Sequence, residues 1–462
     1  MAKQSLQTYL FFIISLVGYC LFSFQLQRPD TASLLSTFVI LFAVYWYASK
    51  PGEENQIKFW VAAAILFRLC FLFSIPTLSD DFYRFIWDGR LLTSGFHPFA
   101  HVPRYYIENT ILISEFDLQL FTKLNSPDYF TIYPPLNQFI FFLAAKIAGN
   151  SILGSVVVMR ISILASEIGS LIIIDKLLGH YQLPKKNILL YALNPLVIIE
   201  LTGNLHFEAM MIFFLLLSFW LLVKNKIAWS ALSFSLAISS KLLPVLILPL
   251  LLVRLGWKKF SIYGILVAIF CAIEFLPLLS HDILVGFRQS IGYYFSKFEF
   301  NASIYYLVRE WGFWKYGYNI IQTVGWKVGV WCAAFILMVT LLDGYLQKFK
   351  VQISKFKVAP LPIDSRPLII DYRLLISCLF IFTVYFAFAT TVHPWYVTTI
   401  LAFSIFTRFR YPMLWTGLIF LTYVGYDKTG FTENLWITAG EYILMFGYLA
   451  YELIWKKEKQ LA

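Results

Sequence analysis

Two adjacent carboxylates, Asp80 and Asp81, stand at the start of a predicted helix that directly follows an apolar segment ending near Pro76. Acids are costly to bury in a membrane, so a pair at the end of an apolar segment calls for a specific role. A positioned carboxylate can accept a proton from a hydroxyl group, which makes this pair a candidate for general-base chemistry. The alternative is that the pair only stabilises the positive end of the helix dipole.

The helix that begins with these acids has a polar face. Asp80, Arg84 and Asp88 are spaced four residues apart and therefore share one side of it. Aromatic and aliphatic side chains occupy much of the remainder, so we expect an interfacial helix whose acids face a wet cleft. A capped, salt-bridged helix without any chemistry is the competing interpretation.

Two further polar sequence motifs lie before the next apolar segment. Gly95-Phe-His-Pro98 is typical of a turn and exposes His97. Ile132-Tyr-Pro-Pro-Leu-Asn-Gln138 opens the next apolar segment, and its prolines suit the first turn of a helix, where amide donors are unpaired anyway.

The composition indicates the elements that must position these residues. Of 462 residues, 59% are hydrophobic and only 14% are charged, against roughly a quarter charged in soluble proteins. Apolar runs long enough to cross a bilayer recur along the chain, so we predict an all-α polytopic membrane protein. The net charge of +11 reflects Lys and Arg in short loops, as expected for cytoplasmic loops, and does not indicate nucleic acid binding.

The apolar runs predict one transmembrane domain over 1–462 with about 13–15 spans. The charge bias places 77–131, with the acidic helix, and a second loop, 281–321, outside the cell, and the Lys-rich connection 346–373 in the cytoplasm. Segments 132–149 and 153–178 cannot both cross fully if Lys185 and Lys186 are also cytoplasmic, so either one segment is partial or the 180–187 loop departs from the charge rule. Within the bundle, Arg160 and Glu167 are seven residues apart and are predicted to form an ion pair.

Taken together, the Asp-x-x-Tyr-x-x-x-x-Asp pattern from Asp80, the Gly-x-x-Pro turn from Gly95 and Tyr133-Pro-Pro-Leu resemble the type-C glycosyltransferases. The resemblance is to the enzymes of this class that use polyprenyl- or dolichyl-phosphate mannose. Their Asp-x-Asp acids are only partly matched, because Phe82 replaces the second acid and Asp81 is adjacent instead. Three later phrases resemble signatures of related bacterial mannosyltransferases: Gly203-Asn-Leu-His-Phe-Glu208, Ser240-Lys-Leu-Leu-Pro244 and His393-Pro-Trp-Tyr396.

This resemblance implies an inverting transfer of a hexose, most simply mannose, from a polyprenyl-phosphate donor to a lipid-linked or cell-envelope glycan. Asp80 is the first candidate for the base and Asp81 the second, and Lys241 is the best candidate to stabilise the leaving phosphate. The full set of expected substrate-binding residues is Tyr83, Arg84, Asp88, Arg90, His97, Tyr133, His206, Glu208, Lys241, Arg288, His393, Trp395 and Tyr396.

The resemblance also implies a multi-pass protein of the plasma (inner) membrane with its active site on the extracytoplasmic face. No metal site is predicted, although a divalent cation is left open as a cofactor. The partners expected are the lipid-phosphate donor, a lipid or glycan acceptor and membrane lipid. Two other functions stay open: a transporter or flippase of lipid-linked saccharides, and an envelope glycan polymerase or ligase that uses a pyrophosphate donor.

Overall fold

The protein is almost entirely helical. The computed structural model describes residues 6–50, 52–111, 114–278, 280–296, 298–356, 371–427 and 430–455. The α-helices of these residues are α1 (Leu6–Phe24), α2 (Thr31–Ala48), α3 (Glu54–Leu69), α4 (Asp81–Thr93), α5 (Pro103–Glu108), α6 (Glu115–Phe121), α7 (Pro135–Ala148), α8 (Ile152–His180), α9 (Leu189–Ala192), α10 (Glu208–Val223), α11 (Ile227–Ser240), α12 (Leu248–Glu274), α13 (His281–Ser296), α14 (Ile304–Tyr316), α15 (Ile321–Phe356), α16 (Tyr372–Phe388), α17 (Val397–Ser404), α18 (Tyr411–Leu418) and α19 (Leu435–Ile454).

Shorter elements connect these helices. There are 3₁₀ turns at Lys185–Ile188, Leu243–Ile247, Leu276–Leu278, Pro394–Tyr396 and Ile419–Gly425, and a π-helical turn at Val197–Gly203. Strands β1 (Tyr426–Asp427) and β2 (Gly430–Phe431) pair antiparallel. The all-α prediction is confirmed.

Several helices are long and apolar enough to cross a membrane. Within the described residues, α1, α2, α8 and the apolar part of α15 qualify by length and composition, and the π-helical turn with α10 adds a fifth if that bent pair is one span. Shorter apolar helices accompany them at α7, α11 and α16. The protein is therefore a multi-pass membrane protein, although fewer helices qualify than the 13–15 spans expected, because turns and kinks interrupt several apolar runs.

Three boundaries differ from the expected topology. Helix α7, which corresponds to the predicted segment 132–149, has only 14 residues. A helix needs about 20 residues to cross a bilayer, so 132–149 is the shorter of the two segments that could not both cross fully. Helix α12 is kinked at Gly256, where φ is 72°, so it is not one straight span. Helix α15 continues to Phe356, so the connection predicted at 346–373 begins with helix, and 357–370 lie outside the described residues.

The acidic helix α4 is held against α7. A Cβ atom at Gly89 would lie 2.2 Å from the Phe141 carbonyl oxygen, so only glycine permits this approach. Phe85 stacks on Phe141 with the ring centroids 4.7 Å apart. These contacts fix the start of α4 relative to the start of α7.

A second feature that positions the site is a break in the chain before α10. The π-helical turn and α10 meet at 106°, and Leu205 between them has φ of +61°. Arg160 of α8 stabilises this break by donating to the carbonyl oxygens of Thr202 at 2.9 Å and Gly203 at 2.8 Å. The predicted Arg160–Glu167 ion pair is therefore wrong.

Both residues are instead satisfied by other partners. Arg160 also donates to the Ser74 carbonyl oxygen, at 2.6 Å. Glu167 pairs with Arg68 at 2.8 Å and accepts a hydrogen bond from the Tyr191 hydroxyl at 2.5 Å. The charges within the bundle are thus compensated in separate pairs or by carbonyl groups.

Candidate active site

A cavity of about 980 Å³ lies where α4, α7, α10 and α11 begin or end. Parts of α13 and the connection between α16 and α17 complete its wall. It brings together residues that are far apart in the chain. Nine of the predicted site residues line it: Asp81, Arg84, Tyr133, His206, Glu208, Lys241, His393, Trp395 and Tyr396.

The two adjacent acids point to different surroundings. Asp81 lines the cavity and accepts hydrogen bonds from the Asn125 amide at 2.8 Å and the Tyr133 hydroxyl at 3.4 Å. Asp80 occupies the N-cap position of α4, does not line the cavity, and forms an ion pair with Arg28 from the α1–α2 connection. Of the two, only Asp81 can meet a molecule inside the cavity without a rearrangement.

Lys241 is the cationic group at the end of α11. Its ammonium group pairs with Glu208, the first residue of α10, and lies 3.7 Å from the centroid of the Tyr396 ring. Burial lowers the pKa of Lys241, while the Glu208 and Asp81 carboxylates oppose that shift. A bound anion could therefore replace Glu208 as the ion-pair partner of the Lys241 ammonium group.

Stacked rings form another part of the wall. The Trp395 indole lies parallel to the imidazole of His206, with ring centroids 3.6 Å apart, and to that of His393, at 4.4 Å. Burial, together with His206 and Lys241, holds the pKa of His393 well below its usual range, so this ring is neutral. Such a flat surface suits stacking against a sugar ring.

The motif at the start of α7 joins three elements around the cavity. The Asn137 amide donates to the Ser240 carbonyl oxygen at 2.9 Å, and the Ser240 hydroxyl donates to the Phe207 carbonyl oxygen at 3.2 Å. These two hydrogen bonds connect α7, the end of α11 and the start of α10. Asn137 belongs to the Ile132–Gln138 motif, which by itself indicates only the start of a helix.

Arg84 and Asp88 form the polar face expected for α4; Arg84 lines the cavity, whereas Asp88 does not. Arg84 pairs with Asp88 at 2.8 Å and donates to the carbonyl oxygens of Ser126 and Tyr129, both at 2.9 Å. Asp88 also accepts from Gln138 at 3.0 Å and is fully buried. The expectation that Asp88 faces a wet cleft is wrong, because these partners enclose it.

The other predicted site residues lie away from the cavity. Arg90 pairs with Asp117 at 2.5 Å and, with help from Ser114, keeps the pKa of Asp117 below its ordinary value. Burial lowers the pKa of His97, whose Nδ1 accepts from the Phe99 amide at 3.3 Å. Tyr83 lies under the Lys123 ammonium group, and Arg288 is exposed on α13; neither lines the cavity.

Some cavity residues carried no recognisable signal in the sequence. Asn125 and Asp128 come from the turn between α6 and α7, and Gln289 comes from α13. Polar residues in connections are common, so only the fold identifies these as cavity residues. In the part of the chain that the structure describes, no group of three or more His, Cys, Asp or Glu side chains is arranged to hold a metal ion.

Comparison with known proteins gives one match. Residues 19–256 match the model of the MptA/B family, described as alpha-(1->6)-mannopyranosyltransferase, N-terminal domain. This segment is more than half of the chain and includes both acids, His206, Glu208 and Lys241. Neither a curated protein nor a solved structure matches the chain.

Proposed function

The chain belongs to the MptA/B family of mannosyltransferases, and we propose that it transfers mannose from a polyprenyl-phosphate donor to a lipid-linked or cell-envelope glycan with inversion. The observation that carries this proposal is the single cavity in which a carboxylate, a cation and a stacked aromatic surface meet. The family assignment supports mannosyl transfer, and the cavity supplies the groups that such a transfer requires.

We assign the general base to Asp81. As the acceptor hydroxyl oxygen attacks the anomeric carbon, its proton passes to the Asp81 carboxylate and the bond from that carbon to the phosphate oxygen breaks. Asp81 lies in the cavity wall with one oxygen bonded to Asn125, which orients the carboxylate. Asp80 was the first candidate from the sequence, but its pairing with Arg28 supports a structural role.

Lys241 is suited to stabilise the leaving phosphate. Charge develops on the phosphate oxygen as the bond breaks, and a fixed cation in a cavity with little water stabilises that charge. When the donor is absent, Glu208 balances the Lys241 ammonium group. Snorkelling towards the membrane surface is the alternative role for a lysine at a helix end, but the pairing with Glu208 holds this one at the cavity wall.

The cavity wall next to Lys241 can accept a lipid chain. Leu242 and Val245 both line the cavity and keep 39% and 43% of their surface exposed. Phe287 and Phe386 extend the apolar lining. A donor whose phosphate meets Lys241 could therefore direct its polyprenyl chain along this wall.

The positions of the lysines support an extracytoplasmic site in the plasma membrane. Helix α10 begins at the cavity with Glu208 and ends next to Lys224, whereas α11 begins after Lys226 and ends at the cavity beside Lys241. Lys224 and Lys226 therefore lie at the helix ends remote from the cavity. Because such loop lysines favour the cytoplasm, the cavity belongs to the opposite side.

The family description names an α linkage, and an inverting transfer produces an α linkage only from a β-linked donor. The test supplies membranes containing the protein with labelled polyprenyl-phosphate β-mannose, the α-anomer or a polyprenyl-pyrophosphate glycan. We expect label in a product sensitive to α-1,6-mannosidase from the β-anomer alone.

Other outcomes point elsewhere. Use of the α-anomer contradicts inversion, and use of the pyrophosphate donor alone favours a polymerase or ligase. Movement of the label across the membrane without a new glycosidic bond favours a transporter. Membranes that lack the protein provide the background.

A further inference from the structure

A buried carboxylate behind the cavity has no lysine or arginine partner among the described residues. Glu200 lies in the π-helical turn and is fully buried. It accepts hydrogen bonds from the Tyr423 hydroxyl at 2.7 Å and the Asn204 amide at 3.2 Å. An ionisable side chain inside a membrane bundle is costly and commonly has a functional role.

Among the described residues, the basic group that contacts this carboxylate is the imidazole of His206. Its Nε2 atom lies 3.4 Å from Glu200 Oε2, within ion-pair distance, and is buried without a hydrogen bond of ordinary geometry. A neutral imidazole carries its proton on one nitrogen only, and that nitrogen is set by the hydrogen-bond partner it faces. A carboxylate facing Nε2 places the proton there and leaves the lone pair on Nδ1.

The local backbone is built to hold this pair. The amide of His206 donates to the Leu201 carbonyl oxygen at 3.2 Å, and Leu205 before it adopts a left-handed conformation, which is unfavourable for a residue other than glycine. Asn204 connects Glu200 to the amide of Leu78, at 3.3 Å. π-Helical turns are rare and occur often at functional sites.

We infer that Glu200 is a positioning residue that fixes His206 as the Nε2-protonated tautomer, with Nδ1 free to accept a hydrogen bond from a sugar hydroxyl in the cavity. His206 lines the cavity and is stacked on Trp395, so the orientation of its ring decides which nitrogen serves the substrate. The substrate part of this inference rests on the proposed function, whereas the tautomer does not.

The comparison with other buried acids supports this role. Glu167 is balanced by Arg68 and Glu208 by Lys241. Glu441, like Glu200, is buried and has neutral donors, from Trp415 at 2.7 Å and Asn301 at 3.2 Å, but it does not line the cavity. Glu441→Gln is therefore a matched control for the replacement of a buried carboxyl group that has neutral donors.

The first measurement is ¹⁵N NMR of the full-length protein labelled at its six histidines, with the His206 signals identified by their loss in His206→Gln. We expect a protonated Nε2 and an unprotonated Nδ1, and a change of this pattern in Glu200→Gln but not in Glu441→Gln. A protonated Nδ1 in the unchanged protein would overturn the inference.

The second measurement is a double-mutant cycle on kcat and KM for mannosyl transfer. Glu200→Gln should lower kcat about tenfold or more, the order found when the hydrogen-bond partner of a metal-ligating imidazole is removed, and should add less than about twofold once His206 is Gln. Equal losses in both backgrounds would show that Glu200 has only a structural role. If no donor supports transfer but the tautomer is as expected, the proposed function fails and the positioning role stands.

Discussion

The assignment of Asp81 as the base predicts a large difference between two adjacent isosteric substitutions. Asp81→Asn keeps the shape of the side chain and its contacts with Asn125 and Tyr133, but it removes the ability to take a proton. General-base catalysis contributes about 100- to 10 000-fold, so transfer should fall by that factor. The KM for the donor should change little.

Asp80→Asn should have a much smaller effect. This carboxylate pairs with Arg28 while 41% of its side chain stays exposed, and such partly exposed ion pairs are worth about 0–1 kcal/mol. Even if that whole energy affected the transition state, the rate would fall by no more than about fivefold. The structure therefore predicts different roles for two adjacent acids that the sequence alone does not distinguish.

The assay is initial-rate transfer of labelled mannose in membranes, with both variants at expression equal to that of the unchanged protein. Thermal unfolding in detergent checks that neither variant is misfolded. A loss of 100-fold or more in Asp80→Asn, with Asp81→Asn near the unchanged rate, would refute the reasoning and return the base to Asp80.

Three further predictions concern charge and packing. Because burial lowers the pKa of Lys241, transfer should fall as the pH rises through that value, earlier than for an ordinary lysine. Lys241→Arg should extend activity to higher pH, which a pH–rate profile measures. Asp88→Asn should destabilise the fold by about 3–5 kcal/mol, since it leaves the buried Arg84 guanidinium without its carboxylate. A lower unfolding temperature with an unchanged KM in the folded fraction would confirm this prediction. A raised KM would instead support a contact between Asp88 and the substrate. Gly89→Ala should lower the unfolding temperature, because the new methyl group would clash with the Phe141 carbonyl oxygen. Gly440→Ala in α19 is the control: its methyl group would have no atom within 4 Å, so this substitution should be neutral or slightly stabilising.

The sequence predicted the helical membrane fold, and nine of the candidate site residues line the cavity. His206, Lys241 and His393 come from chain segments far apart, but each lies at the end of an apolar run, and ends on the same side of a bundle converge. The Gly203-Asn-Leu-His-Phe-Glu208 motif begins where the π-helical turn ends. These features depend on local composition, which a single sequence displays.

The distinction between the two acids could not be predicted in this way. Successive residues at a helix start point in directions about 100° apart, so one acid faces the cavity and the other faces outward. Which one faces the cavity depends on Arg28, which lies 52 positions earlier in the chain. The burial of Asp88 likewise depends on Gln138 and on the carbonyl groups near Ser126, partners that helix periodicity does not reveal.

The charges of the cavity bear on the choice between a phosphate and a pyrophosphate donor. Three carboxylates line it, from Asp81, Asp128 and Glu208. Of these carboxylates, Asp128 is paired with Arg104 and Glu208 with Lys241. The other lining cation, Arg84, pairs with Asp88 and donates to backbone carbonyl groups, while its Nη2 atom is buried without a hydrogen-bond partner. A phosphate diester carries one negative charge and can replace Glu208 at Lys241 one for one, whereas a pyrophosphate brings additional negative charge for which the described lining residues offer only Arg84, already paired with Asp88. The balance therefore favours a single-phosphate donor, and it argues against the polymerase or ligase alternative on grounds independent of the family assignment.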